Sequence, residues 1–275
     1  MQFQISTLKK VKTAEIVEVF NSAFADYFVK IELNEKSLAD KITTENIILE
    51  KSVGVFFENK LVGFILIGIE NKVAYNGGTG VLLDFRGQSL SKRMYDFILP
   101  KLKAENTYSH QLEVITENLP AIKTYEKIGF QKMRTLACFK GKINVSKLND
   151  NVVIKNLNEI DETLFPQFWN SQPSWQNSLS AIKRTQNLHK ILGAFHQNNL
   201  AGYLIYTGTG RIKQFAVQKD FRRLGIAQTL FHQLNNQEIL ITNIDKDDPE
   251  TVSFLNNLGL NLFLEQFEMK LQVID

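Results

Sequence analysis

The residues best suited to chemistry sit where an apolar strand runs into a helix. The segment Phe215-Ala-Val-Gln-Lys-Asp-Phe-Arg-Arg-Leu-Gly-Ile-Ala-Gln-Thr-Leu places Arg222, Arg223 and Gly225 on such a turn. A helix N-terminus carries unpaired N–H groups and a partial positive charge, so this turn can receive phosphate oxygens. A glycine lets the ligand approach the backbone without a Cβ in the way. The same residues also make an ordinary surface turn. Other chemistries have weaker support. His110, His189, His196 and His232 show no metal-binding spacing. Asp245, Asp247 and Asp248 lack the glycine and terminal Glu of a calcium loop and suit the N-terminus of the next helix. Cys138 lies in an apolar strand and reads as packing rather than as a nucleophile.

The elements that must position this turn occur twice. Ser52-Val-Gly-Val-Phe-Phe-Glu-Asn-Lys-Leu-Val-Gly-Phe-Ile-Leu-Ile reads as two strands around a polar turn, and the plan returns at Ile191-Leu-Gly-Ala-Phe-His-Gln-Asn-Asn-Leu-Ala-Gly-Tyr-Leu-Ile-Tyr. Gly54 matches Gly193 and Gly63 matches Gly202 at an offset of 139, and Asp84-Phe-Arg matches Asp220-Phe-Arg at 136. Lys127-Ile-Gly-Phe then matches Asn257-Leu-Gly-Leu at 130. Anchors in one order with drifting offsets indicate two copies of one unit. The polar stretch from Gly141 puts the boundary near residue 147, giving domains 1–147 and 148–275. In the first copy, apolar spacing predicts helices over 13–24, 37–48, 87–104 and 119–128, with strands at 53–58, 61–69, 74–83, 111–116 and 130–140. The second copy predicts helices within 163–186, from 223, and over 249–258, with strands at 190–196, 201–207, 212–218, 238–243 and 260–272. This alternation makes an α/β mixed sheet in two tandem domains.

Composition narrows the class. The 275 residues carry a net charge of +3 without a basic cluster, which gives no case for nucleic acid. One cysteine excludes an internal disulfide, and no apolar run reaches the roughly 20 residues of a membrane span. The N-terminus lacks the order of a signal peptide, so the expectation is a soluble cytoplasmic protein.

The turn Arg222-x-x-Gly225-x-Ala227, after the strand Gln214-Phe-Ala-Val, resembles the coenzyme A-binding turn of the GNAT superfamily of N-acetyltransferases. The first copy has Arg86-Gly87-Gln88-Ser89-Leu90-Ser91 at that place, followed by Asn118, Ala121, Tyr125 and Gly129-Phe130 at the spacings of the family's later motif. The resemblance covers nearly the whole chain, twice, and implies two tandem GNAT-like domains. It implies an acetyl-CoA-dependent N-acetyltransferase without a metal, in which a small-molecule or peptide amine attacks the thioester directly. The acceptor's identity and the choice between monomer and homodimer stay open.

By the resemblance, the pyrophosphate would rest on backbone N–H groups of Arg86, Gly87, Gln88, Ser89, Leu90 and Ser91, or of Arg222, Arg223, Leu224, Gly225, Ile226 and Ala227. Val81 and Leu82, or Phe215 and Val217, would face the pantetheine, and Asn118 would bond that arm or cap its helix. Tyr125, a phenol protonated at neutral pH, would give a proton to the departing thiolate. Glu113 and Glu117 are candidate bases, and Asp26 and Tyr27 are candidate acceptor contacts. The copies depart from the pattern in complementary ways. Ser89 replaces the usual turn glycine in the first, while Leu255 and Asp248 fall at the tyrosine and asparagine positions of the second. Chemistry is therefore expected in the first domain. The rival reading is a non-catalytic acyl-CoA-binding protein, with Ser89 and Leu255 in its favour.

Overall fold

The computed structural model describes residues 2–146 and 148–274. The expected boundary at residue 147 falls outside the described residues. By contacts the chain divides into two compact units: 1–133 with 267–275, and 134–266.

In the first unit, β1 (Gln4–Thr7), β2 (Val53–Phe57), β3 (Lys60–Glu70), β4 (Val73–Val81) and β5 (Ser109–Ile115) neighbour one another in chain order. Beyond β5 lies β12 (Asn261–Gln272), whose last residues belong to this unit. In the second unit the order is β6 (Gln131–Lys142), β11 (Glu238–Asp245), β10 (Arg211–Val217), β9 (Asn199–Thr207), β8 (His189–His196) and β7 (Val152–Asn156). The first copy therefore gives most of its final strand to the other unit, and the second gives half.

One face of the first unit's sheet is covered by α1 (Thr13–Ala23) and α2 (Glu35–Glu45), the other by α3 (Leu90–Ala104) and α4 (Leu119–Ile128). Strand alternation sorts the side chains. Phe64 and Leu66 join α1 in one core, while Ile65 and Ile67 join Met94, Tyr95, Ile98 and Leu102 of α3 in the other. Helical spacing aligns those four α3 residues into one stripe. Burying each contributes roughly 1.5–3 kcal/mol. The second unit has α6 (Ile226–His232) and α7 (Pro249–Asn257) at the places of α3 and α4.

The expected helices at 163–186 appear mainly as short 3-10 turns, with one six-residue helix, α5 (Leu179–Arg184). Pro166 and Pro173 interrupt the helical hydrogen-bond pattern there. The helices expected from 87 and 223 begin three residues later, because the turn residues before them take left-handed conformations.

In both units two parallel strands pair briefly and then part. β4 meets β5 only from Val73↔Ser109 to Tyr75↔Gln111, and β10 meets β11 only at Arg211↔Leu240 and Ile212↔Ile241. Beyond those pairs each strand runs on, leaving a wedge whose edges carry unpaired backbone groups. Bulges against β3 and β9, at Gly77 and Lys213, bend β4 and β10 where the wedges open.

Candidate functional site

In the first unit the wedge opens into a cavity of about 650 Å3. Its walls come from the end of α1 and the following loop, the end of β4, the turn before α3, and α4. Of the residues singled out by sequence, Asp26, Tyr27, Val81, Arg86, Gly87, Ser89, Leu90, Ser91, Asn118 and Tyr125 line it, and Leu82, Gln88 and Glu113 do not.

The turn owes its shape to two left-handed residues, Gly87 at φ 78° and Ser89 at φ 55°. The second unit repeats the pattern with the glycine moved: Arg223 has φ 64° and Gly225 φ 74°. Ser89 thus adopts the conformation that Gly225 takes with less strain. At the start of α3, Arg93 N–H bonds the Ser89 carbonyl at 3.0 Å. Leu90, Ser91 and Lys92, in the first turn, have N–H groups with no acceptor four residues back. A Cβ built on Gly87 meets nothing within 4 Å, so this face of the turn is open.

Arg86 is not free for a ligand. Its guanidinium holds both Asp26 oxygens at 2.6 and 2.8 Å and donates to the carbonyls of Ala23 and Val81. Its own N–H goes to the Leu83 carbonyl. Arg86 therefore positions the turn against the end of α1. The same pairing holds the Asp26 carboxyl below its ordinary range.

Val81 and Leu82 differ by strand parity. Leu82 N–H bonds the Val62 carbonyl, whereas the Val81 carbonyl points away and accepts from Arg86. The N–H and C=O of one strand residue share an edge, so Val81 N–H faces the wedge. Phe215 and Val217 have this orientation in the second unit, where Gln218 N–H bonds the Ala201 carbonyl and the Val217 carbonyl accepts from Arg222.

Tyr125 is buried on α4 at the inner wall. Asn76 Nδ2 lies 2.9 Å from Thr79 Oγ1, 2.9 Å from the Tyr95 hydroxyl and 3.4 Å from the Tyr125 hydroxyl. Asn76 donates to the Tyr125 oxygen, which leaves the phenolic proton for another acceptor. Burial pushes the Tyr125 phenol above its ordinary value, so it stays protonated at neutral pH. Asn118 caps α4 by accepting from Ala121 N–H at 3.2 Å, and Tyr27 hydrogen-bonds its side chain.

Glu113 sits on the other face of the sheet. Leu112 and Val114 join the α3–α4 core, so Glu113 points toward α2 and accepts from the Tyr75 hydroxyl at 2.6 Å. Burial pushes its carboxyl up to about 7, against that hydrogen bond.

Sequence reasoning singled out Tyr125 but missed Asn76, Thr79 and Tyr95. The signal lay in the repeat. At offsets of 136, 136, 136 and 130, Asn76, Thr79, Tyr95 and Tyr125 become Ile212, Phe215, Phe231 and Leu255. The matching bulges support this alignment. All four polar members of the cluster are apolar in the second unit, where Phe215 packs on Phe231 and Phe254 at centroid distances of 5.0 and 5.8 Å.

The second unit's wedge opens into a cavity of about 280 Å3, lined by Phe215, Val217, Arg222, Arg223, Gly225, Ile226 and Ala227 but not by Leu224. Here the Glu250 carboxylate bridges Arg222 at 3.3 Å and Arg223 at 3.2 Å. Among its described lining residues, Lys213, Arg222 and Arg223 face Asp245, Asp248 and Glu250. The first cavity instead sets Arg86, Lys92 and Lys127 against Asp26 alone. Asp248 caps α7 through Thr251 N–H as Asn118 caps α4, and Leu255 is fully buried. Among the described residues no group of His, Cys, Asp and Glu could hold a metal, and no helix is long and apolar enough to cross a membrane.

A family model described as Acetyltransferase (GNAT) family matches residues 16–130, and one described as Acetyltransferase (GNAT) domain matches residues 157–252. The chain resembles a GCN5-related N-acetyltransferase from Sphaerobacter thermophilus with a TM-score of 0.76 at 12% identity, over 99% of this chain and 96% of that one. A tandem GNAT protein from the clavulanic acid biosynthesis pathway aligns at TM-score 0.72 and 11% identity, over 100% of this chain and 99% of that one. A GCN5-related N-acetyltransferase from Anabaena variabilis aligns at TM-score 0.65 and 13% identity, over 99% of this chain and 73% of its own. These structural likenesses speak for the fold. No curated protein sequence matches the chain.

Proposed function

Since the chain belongs to the GNAT acetyltransferase family and carries one such domain in each half, we propose that it is an acetyl-CoA-dependent N-acetyltransferase whose chemistry resides in the first unit. One observation carries this reading. A single cavity brings together the open N–H groups of the turn before α3, the Val81 edge of β4 and the Tyr125 hydroxyl.

The residues present fit coenzyme A. The turn's unbonded N–H groups and the helix N-terminus suit a diphosphate, with Lys92 and Lys127 on the same walls. Val81 N–H offers a strand-like hydrogen bond to an amide-bearing arm. Bound acetyl-CoA supplies a thioester carbon open to a neutral amine and a sulfur that leaves as a thiolate. Tyr125 holds the proton that the leaving sulfur needs, and Asn76 fixes the phenol by donating to its oxygen. Asn118 orients the start of α4 and Tyr27. Glu113 lies outside this cavity on the Tyr75 hydroxyl and takes no part in the proposed step.

The second unit is read as non-catalytic, because Leu255 has no proton to give and Glu250 already occupies the arginines of its turn. Release of free thiol from acetyl-CoA across a panel of amines tests the proposal. Tyr125→Phe should lower kcat by about 100-fold or more with coenzyme binding unchanged. An unchanged kcat removes Tyr125 from the chemistry.

A further inference from the structure

The hydroxyl cluster beneath Tyr125 has a direction, and its innermost member fixes it. Tyr95, on α3, is fully buried, and its hydroxyl has two partners, Asn76 and Thr79. Asn76 cannot accept from it. Gly78 N–H bonds Asn76 Oδ1 at 2.8 Å, which turns Nδ2, a pure donor, toward the three hydroxyl oxygens. The ring of His110 lies 5.6 Å from that of Tyr95, but neither of its nitrogens bonds the phenol. Among the described residues the Tyr95 proton therefore goes to Thr79 Oγ1, because a buried hydroxyl left without an acceptor is costly.

Thr79 then sends its own proton on. Its oxygen accepts from Tyr95 and Asn76, so its hydroxyl donates to the other phenol it bonds, Tyr125. Tyr125 receives at its oxygen, and its proton is turned toward the cavity that it lines. Donors aligned in one chain polarise each other, so each bond strengthens the next. The titratable groups behind the chain stay neutral at neutral pH. Burial raises the phenol of Tyr27, from the loop after α1, and lowers His110, on β5, to about 3. On the cavity side the charged groups are Arg86, paired with Asp26, Lys92, paired with Asp96, and Lys127.

The second unit shows that packing does not require the Tyr95 hydroxyl. Phe231 holds the matching place fully buried, with Phe215 and Leu255 where Thr79 and Tyr125 would be. The three hydroxyls are absent there together, as befits groups that act in series.

Resting on the transferase reading above, we infer that Tyr95 is a positioning residue of the acetyl transfer: acting through Thr79, it turns the Tyr125 proton toward the leaving sulfur. Tyr125 gives that proton as the carbon–sulfur bond breaks, and Thr79 O–H and Asn76 N–H hold the phenolate. The proton lost by the amine nitrogen as it bonds the acetyl carbon restores the phenol.

The test reads Tyr125 both directly and through turnover. In the full chain carrying 3-fluorotyrosine, a more acidic phenol, 19F NMR follows the ionisation of Tyr125, whose resonance is assigned by its loss in Tyr125→Phe. The midpoint should rise by about half a pH unit or more in Tyr95→Phe and in Thr79→Val, and return in Thr79→Ser. Tyr95→Phe should lower kcat for thiol release by about tenfold, with the KM for acetyl-CoA within about twofold. Shifted midpoints without thiol release from any amine keep the hydroxyl chain and overturn the transferase reading. Turnover with a midpoint unmoved by Tyr95→Phe, or a moved midpoint with kcat unchanged, overturns the role of Tyr95 and leaves the transferase reading standing.

Discussion

The two wedges share a backbone plan and differ in the side chains that fill it. In both, parallel strands part, a turn with two left-handed residues enters a helix, and an Asn or Asp caps the helix that follows. In the first unit Asn76, Thr79, Tyr95 and Tyr125 make a buried polar cluster beside an open turn. In the second, Ile212, Phe215, Phe231 and Leu255 hold those places, and Glu250 closes on the turn's arginines. A fold can thus preserve its scaffold while one copy holds a buried polar cluster and the other holds apolar side chains at the same places. Such groups lie inside the packing, where an apolar replacement costs little stability and can even add some.

The sharpest way to break this contrast is to make the first unit resemble the second. Thr79→Phe, the residue of the second wedge, should lower kcat/KM for acetyl transfer by about 100-fold or more by filling the space beside Tyr125. Retained activity would mean that the cluster is not where the reaction runs. Ser91→Glu places a carboxylate at the open turn, as Glu250 does in the other unit. Coenzyme affinity, followed by titration, should fall by about tenfold or more.

Acidity offers a milder test, with opposite signs at two buried groups of the first unit. Burial raises the Glu113 carboxyl from 4.5 to about 7, so its contribution to stability is full below 4.5 and is lost as pH rises through 7. Burial lowers His110 from 6.5 to about 3, so its contribution is full above 6.5 and is lost as pH falls toward 3. Glu113→Gln should flatten the loss of stability between about pH 5 and about pH 8, read as urea midpoints, and His110→Leu should flatten the acid side. The smallest effect belongs to the turn. Ser89→Gly relieves a left-handed serine and should change stability by no more than about 1 kcal/mol, with coenzyme affinity within about twofold.

Much of this was legible in the sequence for reasons that can be named. Repeated glycines and the Asp-Phe-Arg anchors aligned the two copies, and helical spacing placed α1 and α4 within a residue or two. What escaped depends on contacts between distant residues. Nothing at Arg86 announces that its guanidinium reaches Asp26, 60 residues away, rather than a ligand. A strand's own residues do not say which sheet edge it joins, so the crossing of β6 and β12 between units was not foreseen. The apolar spacing at 163–186 suits helix and core equally, and two prolines decided the outcome. The polar cluster spans β4, α3 and α4, and only a position-by-position comparison of the copies exposes it.

The proposed function requires that the first wedge bind coenzyme A and the second not. Calorimetric titration of the full chain with coenzyme A tests it most directly, with wild type, Ser91→Glu and Arg223→Glu compared. One coenzyme per chain is expected, with binding weakened in Ser91→Glu and unchanged in Arg223→Glu, whose side chain is 84% exposed. Two coenzymes per chain, or binding lost in Arg223→Glu and kept in Ser91→Glu, would contradict it.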